Sequence, residues 1–212
     1  MQKIVLILFF LLLLQACQTR IPSIDQKQSL DSIISDVEEE QSVIKDYKEL
    51  SIFICDRGLK TADELVSFFM SSNPDADEMK VLRLANFYVS EALEEGVNSD
   101  AAFVQMCLET GFLRFGGLVS EEMNNFCGLG AMSETQRGLA FESEQLGVRA
   151  HIQHLHAYGC SDSLKNDLVD PRYKYVNPRG KAPTIFELAG TWASDKQYGY
   201  KLNDLLIRLS YF

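Results

Sequence analysis

The sequence has no Cys-x-x-Cys pair, no internal repeat and no low-complexity tract. The first absence removes the usual spacing of zinc and thiol-redox sites. The second removes repeat architectures, which need a fixed period. Positive charge is also scarce, with 20 Lys and Arg against 30 Asp and Glu for a net charge of −10. Nucleic-acid binding needs stripes of Lys and Arg, so nucleic acid is excluded as a partner, as is docking on anionic lipid by charge alone. What is present is ordinary globular material, 46% hydrophobic and 24% charged, with room for one well-cored domain and an appendage.

The one long apolar run is Met1 to Ala16, with Lys3 as its single charge. It is short of the ~20 residues that cross a bilayer comfortably and has the length of a secretory signal. It ends Leu14-Gln15-Ala16-Cys17, which resembles a bacterial lipobox. That resemblance implies cleavage before Cys17, a lipid on Cys17, and a membrane-anchored protein of the bacterial envelope facing the periplasm or cell wall. A plain signal peptide cleaved near Ala16 is the other reading. Four cysteines remain, Cys55, Cys107, Cys127 and Cys160; they allow three pairings, or serve as small buried hydrophobes.

Three segments follow from the pattern: a signal at 1–16, a lipidated cysteine with tether and amphipathic helix at 17–59, and a domain at 60–212. The helix of the middle segment is read from Leu30, Ile33, Ile34, Val37, Ile44 and Tyr47. In the domain, Thr61-Ala-Asp-Glu64 is a capping box before a helix that Asn73-Pro74 ends. A longer helix runs to a cap at Gly96, and Asn98 or Ser99 caps the next, which carries Gln105 and Glu109 and ends at Gly111. Met132 to Phe141 has room for a short hairpin or loop. Ser143 caps another helix, Asp162 to Pro183 is loop, and Thr184-Ile-Phe-Glu187 is a second capping box leading to Trp192. A last helix starts near Asp195. The fold class is mainly α, or α+β with one small β-prone patch.

The motifs that carry chemistry come in order. Gln105-x-x-x-Glu109-Thr110-Gly111 is followed by Asn124-Asn125-Phe126-Cys127-Gly128-Leu129, then Phe141-x-Ser143, then His154-Leu155-x-x-Tyr158. Asp170-Pro171-Arg172-Tyr173 and Trp192-Ala193-x-Asp195-x-x-Tyr198-Gly199-x-Lys201-Leu202 complete the set. Together, from about Val81 to Leu209, they resemble the bacterial peptidoglycan N-acetylglucosaminidases of glycoside hydrolase family 73. The resemblance implies a lysozyme-like helical lobe, a small β or loop lobe and a glycan-binding groove between them. It implies cleavage of the β-1,4 bond between N-acetylglucosamine and N-acetylmuramic acid, with Glu109 as general acid and Tyr198 near the scissile bond. Gln105, Asn124, Asn125, Gly128 and Tyr158 would bind substrate.

The residues support that chemistry in their own right. A leaving glycosidic oxygen needs a proton, and a carboxylic acid holds one near neutral pH only if burial raises its pKa. Phe112, Phe115 and Phe126 can crowd Glu109 in that way. The second carboxylate is less plain: Glu134 and Glu142 are the choices, and the substrate's N-acetyl group is a third route. No cofactor is called for. His151, His154 and His156 with Cys160 lack a clean metal-ligand spacing, so no metal site is assigned. The expected partners are peptidoglycan strands and, through Cys17, a membrane, for a monomer. Two rivals share the fold: a lytic transglycosylase, and a non-catalytic wall-binding lipoprotein.

Overall fold

The structure, a computed structural model, describes residues 49–212. The signal-like run, Cys17 and the helix expected between Leu30 and Tyr47 lie outside those residues. Five α-helices are found among them: α1 Ala62–Ser72, α2 Glu78–Glu95, α3 Ser99–Thr110, α4 Glu144–Gly159 and α5 Tyr198–Leu209. Their ends follow local chemistry. Thr61 and Glu64 form the capping box of α1, Asp77 caps α2, and Ser143 caps α4. At α3 the Asn98 carboxamide oxygen accepts from Asp100 N and Ala101 N, at 3.0 and 3.2 Å. Gly96 and Gly111 close α2 and α3 at φ 73° and 58°, where a side chain would be strained.

Helix α3 is the axis of the fold. It is buried without a break from Ser99 to Cys107, and again at Thr110. Helices α2 and α5 pack on it, while α2 also carries α1 on one side and α4 on the other. This is the lysozyme-like helical arrangement that the sequence implied. The α2–α4 seam holds a buried ion pair. Arg149 Nε and Nη2 donate to the two oxygens of Glu91, at 2.7 and 3.0 Å, and Gln145 adds a third donor at 2.8 Å.

Of the hairpin and loop forms expected for the small lobe, the structure shows a loop closed by a tight turn: among the described residues only isolated bridges occur, Ser133 with Gln136 being the one in that lobe. Backbone bonds from Met132 N to Gln136 O and from Leu139 N to Leu129 O, both 2.9 Å, draw its arms together, and the Asn125 side chain donates to Leu129 O and Leu139 O as well. Two expectations need correction. The Thr184–Glu187 box forms its hydrogen bonds, at 2.8 and 2.5 Å, but closes a run of turns and not a helix. Helix α5 starts at Tyr198, three residues later than expected, because Asp195 spends its carboxylate on Gln197 N and Lys201 Nζ.

The compact unit begins at Lys48 and so takes in the stretch ahead of residue 60. Leu50 and Ile54 are core residues. Asn98 donates to Ser51 O and Phe53 O, and Asp100 accepts from Leu59 N and Lys60 N, so the start of α3 holds this stretch in place. Cys55 is bonded to Cys160 at the end of α4, with Cα atoms 5.7 Å apart, while Cys107 and Cys127 are free thiols buried in the protein. A bridge spanning 105 residues constrains the unfolded chain strongly. Replacing Cys55 and Cys160 by Ser is expected to lower the unfolding free energy by about 2–5 kcal/mol in a urea melt; an unchanged midpoint would count against the bridge.

Candidate active site

Glu109 sits in the last turn of α3. The chain beyond it is wound left-handed, with φ of 58° at Gly111, 57° at Phe112 and 59° at Leu113. Non-glycine residues resist that region by ~1–2 kcal/mol each, so the turn has to be held. Thr110 Oγ1 accepts from Leu113 N at 2.9 Å, and Asn73 Nδ2 donates to Phe112 O at 2.8 Å. The Phe112 ring packs against Phe68 and Phe69. Phe112 and Phe126 therefore belong to the core and do not crowd Glu109, contrary to the sequence expectation; Phe115 alone of the three shares a hollow with it.

Two other aromatics do press on the acid. Trp192 Nε1 donates to Glu109 Oε1 at 3.1 Å, and the Tyr198 hydroxyl donates to the same oxygen. The residue as a whole is exposed along the groove, but protein atoms surround its carboxyl group on the inner side. That burial raises its pKa above the ordinary glutamate value, and the Tyr198 and then the Trp192 donors pull it back down. Tyr198 is itself pushed well above its usual value, first by burial and then by the Glu109 charge, so it stays a donor. The second oxygen, Oε2, faces Gly128; a Cβ there would stand 3.9 Å from it. Gly128 holds φ 68°, which needs glycine.

Two hollows meet at Gly128 and Ala131, which line both. The first is walled by Glu109, Thr110, Phe115, Val119 and Asn125, and the second by His154, Tyr158, Arg172, Trp192 and Met132. Together they make one groove, in which Glu109 lines the first hollow with Oε2 toward the shared Gly128. Among the described residues, Glu109 is the only acid lining either hollow. Behind the second, the buried Asp170 accepts from His154 Nδ1 at 2.7 Å and fixes that ring beside Trp192 and Tyr158. A further hollow, lined by Asp56, Arg57, Val89 and Leu93, contains none of these residues.

The other expected site residues fall as follows. Gln105 is wholly buried beneath the groove and so cannot touch substrate; it donates to Tyr198 Oη at 2.9 Å. Asn124 donates to Phe141 O at 3.0 Å. Asn125 spends its side chain on Leu129 O and Leu139 O as donor, and on Leu129 N and Cys127 N as acceptor. It builds the groove wall and has little left for a sugar. Helix α4 presses on this turn so closely that a Cβ on Gly147 would lie 1.8 Å from Asn124 O. Tyr158 lines the second hollow with its hydroxyl donating to Thr191 O. Glu134, at the tip of the Ser133–Gln136 turn, and Glu142, just ahead of α4, are exposed and line neither hollow. The three histidines point apart. His151 bonds Tyr88 and Gln105, His154 bonds Asp170, and His156 lies 3.2 Å from Asp162. Cys160 beside it is in the disulfide and offers no thiolate. The sequence reading missed Trp192 as a donor to the acid, weighed His151 only as a metal ligand, and counted Tyr88 only among the apolar residues of its helix.

The family description mannosyl-glycoprotein endo-beta-N-acetylglucosaminidase matches residues 85–210. The chain belongs to the glucosaminidase family. The match starts inside α2 and ends just past α5, so it covers every residue of the groove named above. An uncharacterised protein of Borreliella burgdorferi is 44% identical over 157 residues, which is 74% of this chain and 76% of that one. No solved structure matches. Glucosaminidases are glycoside hydrolases of the endo-β-N-acetylglucosaminidase type. In the glucosaminidase domain, Tyr198→Phe removes a donor that favours the carboxylate. The expected outcome is a Glu109 pKa raised further, read by carboxyl carbon NMR titration; an unmoved or lowered value would refute the hydrogen bond's role.

Proposed function

We propose that this glucosaminidase cleaves the β-1,4 bond between N-acetylglucosamine and N-acetylmuramic acid in peptidoglycan, with Glu109 as general acid. The observation that carries the reading is the asymmetry of the carboxyl group. Oε1 takes two protein donors, while Oε2 faces the groove at Gly128. A protonated Glu109 presents its proton to a glycosidic oxygen lying across the junction of the two hollows. The bond from that oxygen to the sugar C1 breaks as the proton transfers.

The positive charge developing at C1 needs a partner. No second acid lines the hollows, which favours the 2-acetamido group of the same sugar over Glu134 or Glu142. Its carbonyl oxygen bonds to C1 as the leaving oxygen departs. The Glu109 carboxylate then takes a proton from water as that water opens the ring so formed. The same one-acid groove supports a second reading, a lytic transglycosylase, in which muramic acid supplies C1, the O4 of the next N-acetylglucosamine leaves with the Glu109 proton, and the muramic acid's own 6-hydroxyl attacks instead of water. Digested sacculi, reduced with borohydride and read by mass spectrometry, separate the two. Reduced N-acetylglucosamine ends are expected, falling about 10²–10⁴-fold with Glu109→Gln. Anhydro ends would give the protein to the transglycosylases, and an active Glu109→Gln would remove Glu109 from the mechanism.

The cellular setting proposed is cell-wall remodelling from a lipid anchor on Cys17. It rests on the lipobox-like Leu14-Gln15-Ala16-Cys17. No helix among the described residues is long and apolar enough to cross a membrane. Labelling with a fatty acid is expected to mark the protein and to be lost with Cys17→Ala, which should also leave the membrane fraction. Label retained in that variant would discard the anchor.

A further inference from the structure

We infer that His151 and Tyr88 are positioning residues that decide which oxygen of Glu109 carries its proton. The inference rests on Glu109 as general acid and concerns residues that touch neither groove nor substrate. Four side chains lead from the core to the acid. Tyr88 Oη lies 2.8 Å from His151 Nδ1, His151 Nε2 lies 2.9 Å from Gln105 Oε1, and Gln105 Nε2 lies 2.9 Å from Tyr198 Oη. Tyr198 Oη then reaches Glu109 Oε1. Tyr88, Gln105 and His151 are fully buried and Tyr198 nearly so, so water does not serve any of these links.

A chain of this kind has two possible polarities. In the forward one, Tyr88 donates to Nδ1, His151 Nε2–H donates to the Gln105 carbonyl, the Gln105 amide donates to Tyr198, and Tyr198 donates to Glu109 Oε1. In the reverse one, every hydrogen turns round. The imidazole carries its hydrogen on Nδ1, the Gln105 amide is flipped, and Glu109 donates from Oε1 to Tyr198. Tyr88 breaks the tie. His151 is the hydrogen-bond partner of its hydroxyl, which is otherwise enclosed by apolar packing that includes Phe103. The reverse polarity would leave the Tyr88 hydrogen buried with no acceptor, a costly arrangement. The forward polarity satisfies all four groups.

The consequence reaches the groove. In the forward polarity Oε1 accepts from both Tyr198 and Trp192, so it has no room for a hydrogen. The proton of Glu109 must sit on Oε2, the oxygen facing Gly128 and the junction of the two hollows. In the reverse polarity the proton would point into the protein, where no substrate reaches it. Gln105 alone could not enforce this, because its carboxamide can flip. His151 fixes the carboxamide, and Tyr88 fixes His151.

Protonation of the imidazole would break the scheme, since an imidazolium has no acceptor for Tyr88. The surroundings prevent it. Tyr88 faces His151 from α2, Gln105 from α3, His154 from its own helix and the Trp192 ring from the turn before α5, and no carboxylate pairs with it. Burial, with His154 adding to it, lowers its pKa to about 3. The thiols of Cys107 and Cys127, close to Tyr88, are raised well above the usual value by burial and stay neutral. The relay therefore keeps one polarity across the pH range in which a glycosidase works.

Two measurements test this on the full chain. The first needs no activity: nitrogen-15 NMR of labelled histidine reads the tautomer directly. His151 is expected as the neutral Nε2–H form at pH 6; the Nδ1–H form or an imidazolium would overturn the inference whether or not the protein cleaves peptidoglycan. The second reads kcat and KM against pH on solubilised glycan strands. His151→Phe is expected to lower kcat about tenfold with KM unchanged. It should also move the alkaline limb of the profile upward, because Tyr198 no longer donates steadily to the carboxylate. His151→Gln, which restores an N–H near the Nε2 position, should recover most of the loss. Tyr88→Phe, the milder change should His151→Phe fold poorly, should show the same upward movement with a roughly twofold loss. A fall in kcat with the limb unmoved, or no rescue by His151→Gln, would reduce both residues to packing.

Discussion

The constraint on which this structure depends is the burial of α3 on every side from Ser99 to Cys107. A helix buried all round is normally apolar all round, yet α3 carries Asn98, Asp100, Gln105, Glu109 and Thr110. Each polar group there must find a partner inside the protein, because an unpaired one is expensive. Asn98 and Asp100 find theirs in the backbone of residues 51–60, and so hold the N-terminal stretch against the domain. Thr110 finds its partners in Met106 O and Leu113 N, and so stabilises the left-handed turn after the acid. Gln105 finds His151 and Tyr198. The same requirement that makes the helix foldable thus attaches the acid to its surroundings.

At the end of that helix, burial and hydrogen bonding act on Glu109 in opposite senses. Burial favours the neutral acid, and the Tyr198 and Trp192 donors favour the carboxylate. A proton donor that later serves as a base needs both: a pKa high enough to hold the proton, and a carboxylate stable enough to release it. Both donors fall on one oxygen, which leaves the other for the substrate. Among the described residues the groove lining adds no second acid, so in the proposed reaction the chemistry would centre on one carboxyl group and on what the sugar itself supplies.

Much of this could be read from the chain. Caps are local, and Thr61, Asn98, Gly96, Gly111 and Ser143 each stand where the sequence put them. The place of Glu109 in the last turn of α3 was legible because a Glu-Thr-Gly at a helix end, followed by an Asn-Asn turn, is a pattern with an order. For the small lobe the sequence left β and loop open, because the contacts made by the Asn125 side chain leave no periodic trace. The Thr184 box misled because its hydrogen bonds serve a turn as well as a helix. Asn125 and Gln105 were taken for sugar contacts, since polar residues beside an acid look alike from sequence whether they face the groove or the core. The link from Tyr88 and His151 to the acid was not legible for a related reason. They lie 17 residues before and 46 after Gln105, on the apolar faces of their helices, and only the packing of α2 on α4 brings them together.

That packing is the last link between stability and site. Tyr88 and Glu91 are three apart on α2, so they point the same way. Glu91 takes Arg149 and Gln145 of α4, while Tyr88 takes His151 of α4. The ion pair at Glu91 is buried and bidentate, a geometry that tolerates little sliding. A shift of one helix along the other would break it at the same moment as the Tyr88–His151 bond. Replacing the Glu91 pair by apolar residues could leave the protein as stable as before, but it would remove the register that keeps Tyr88 opposite His151. The buried charge is then better understood as fixing alignment than as adding stability, with the orientation of a proton some four side chains away depending on that alignment.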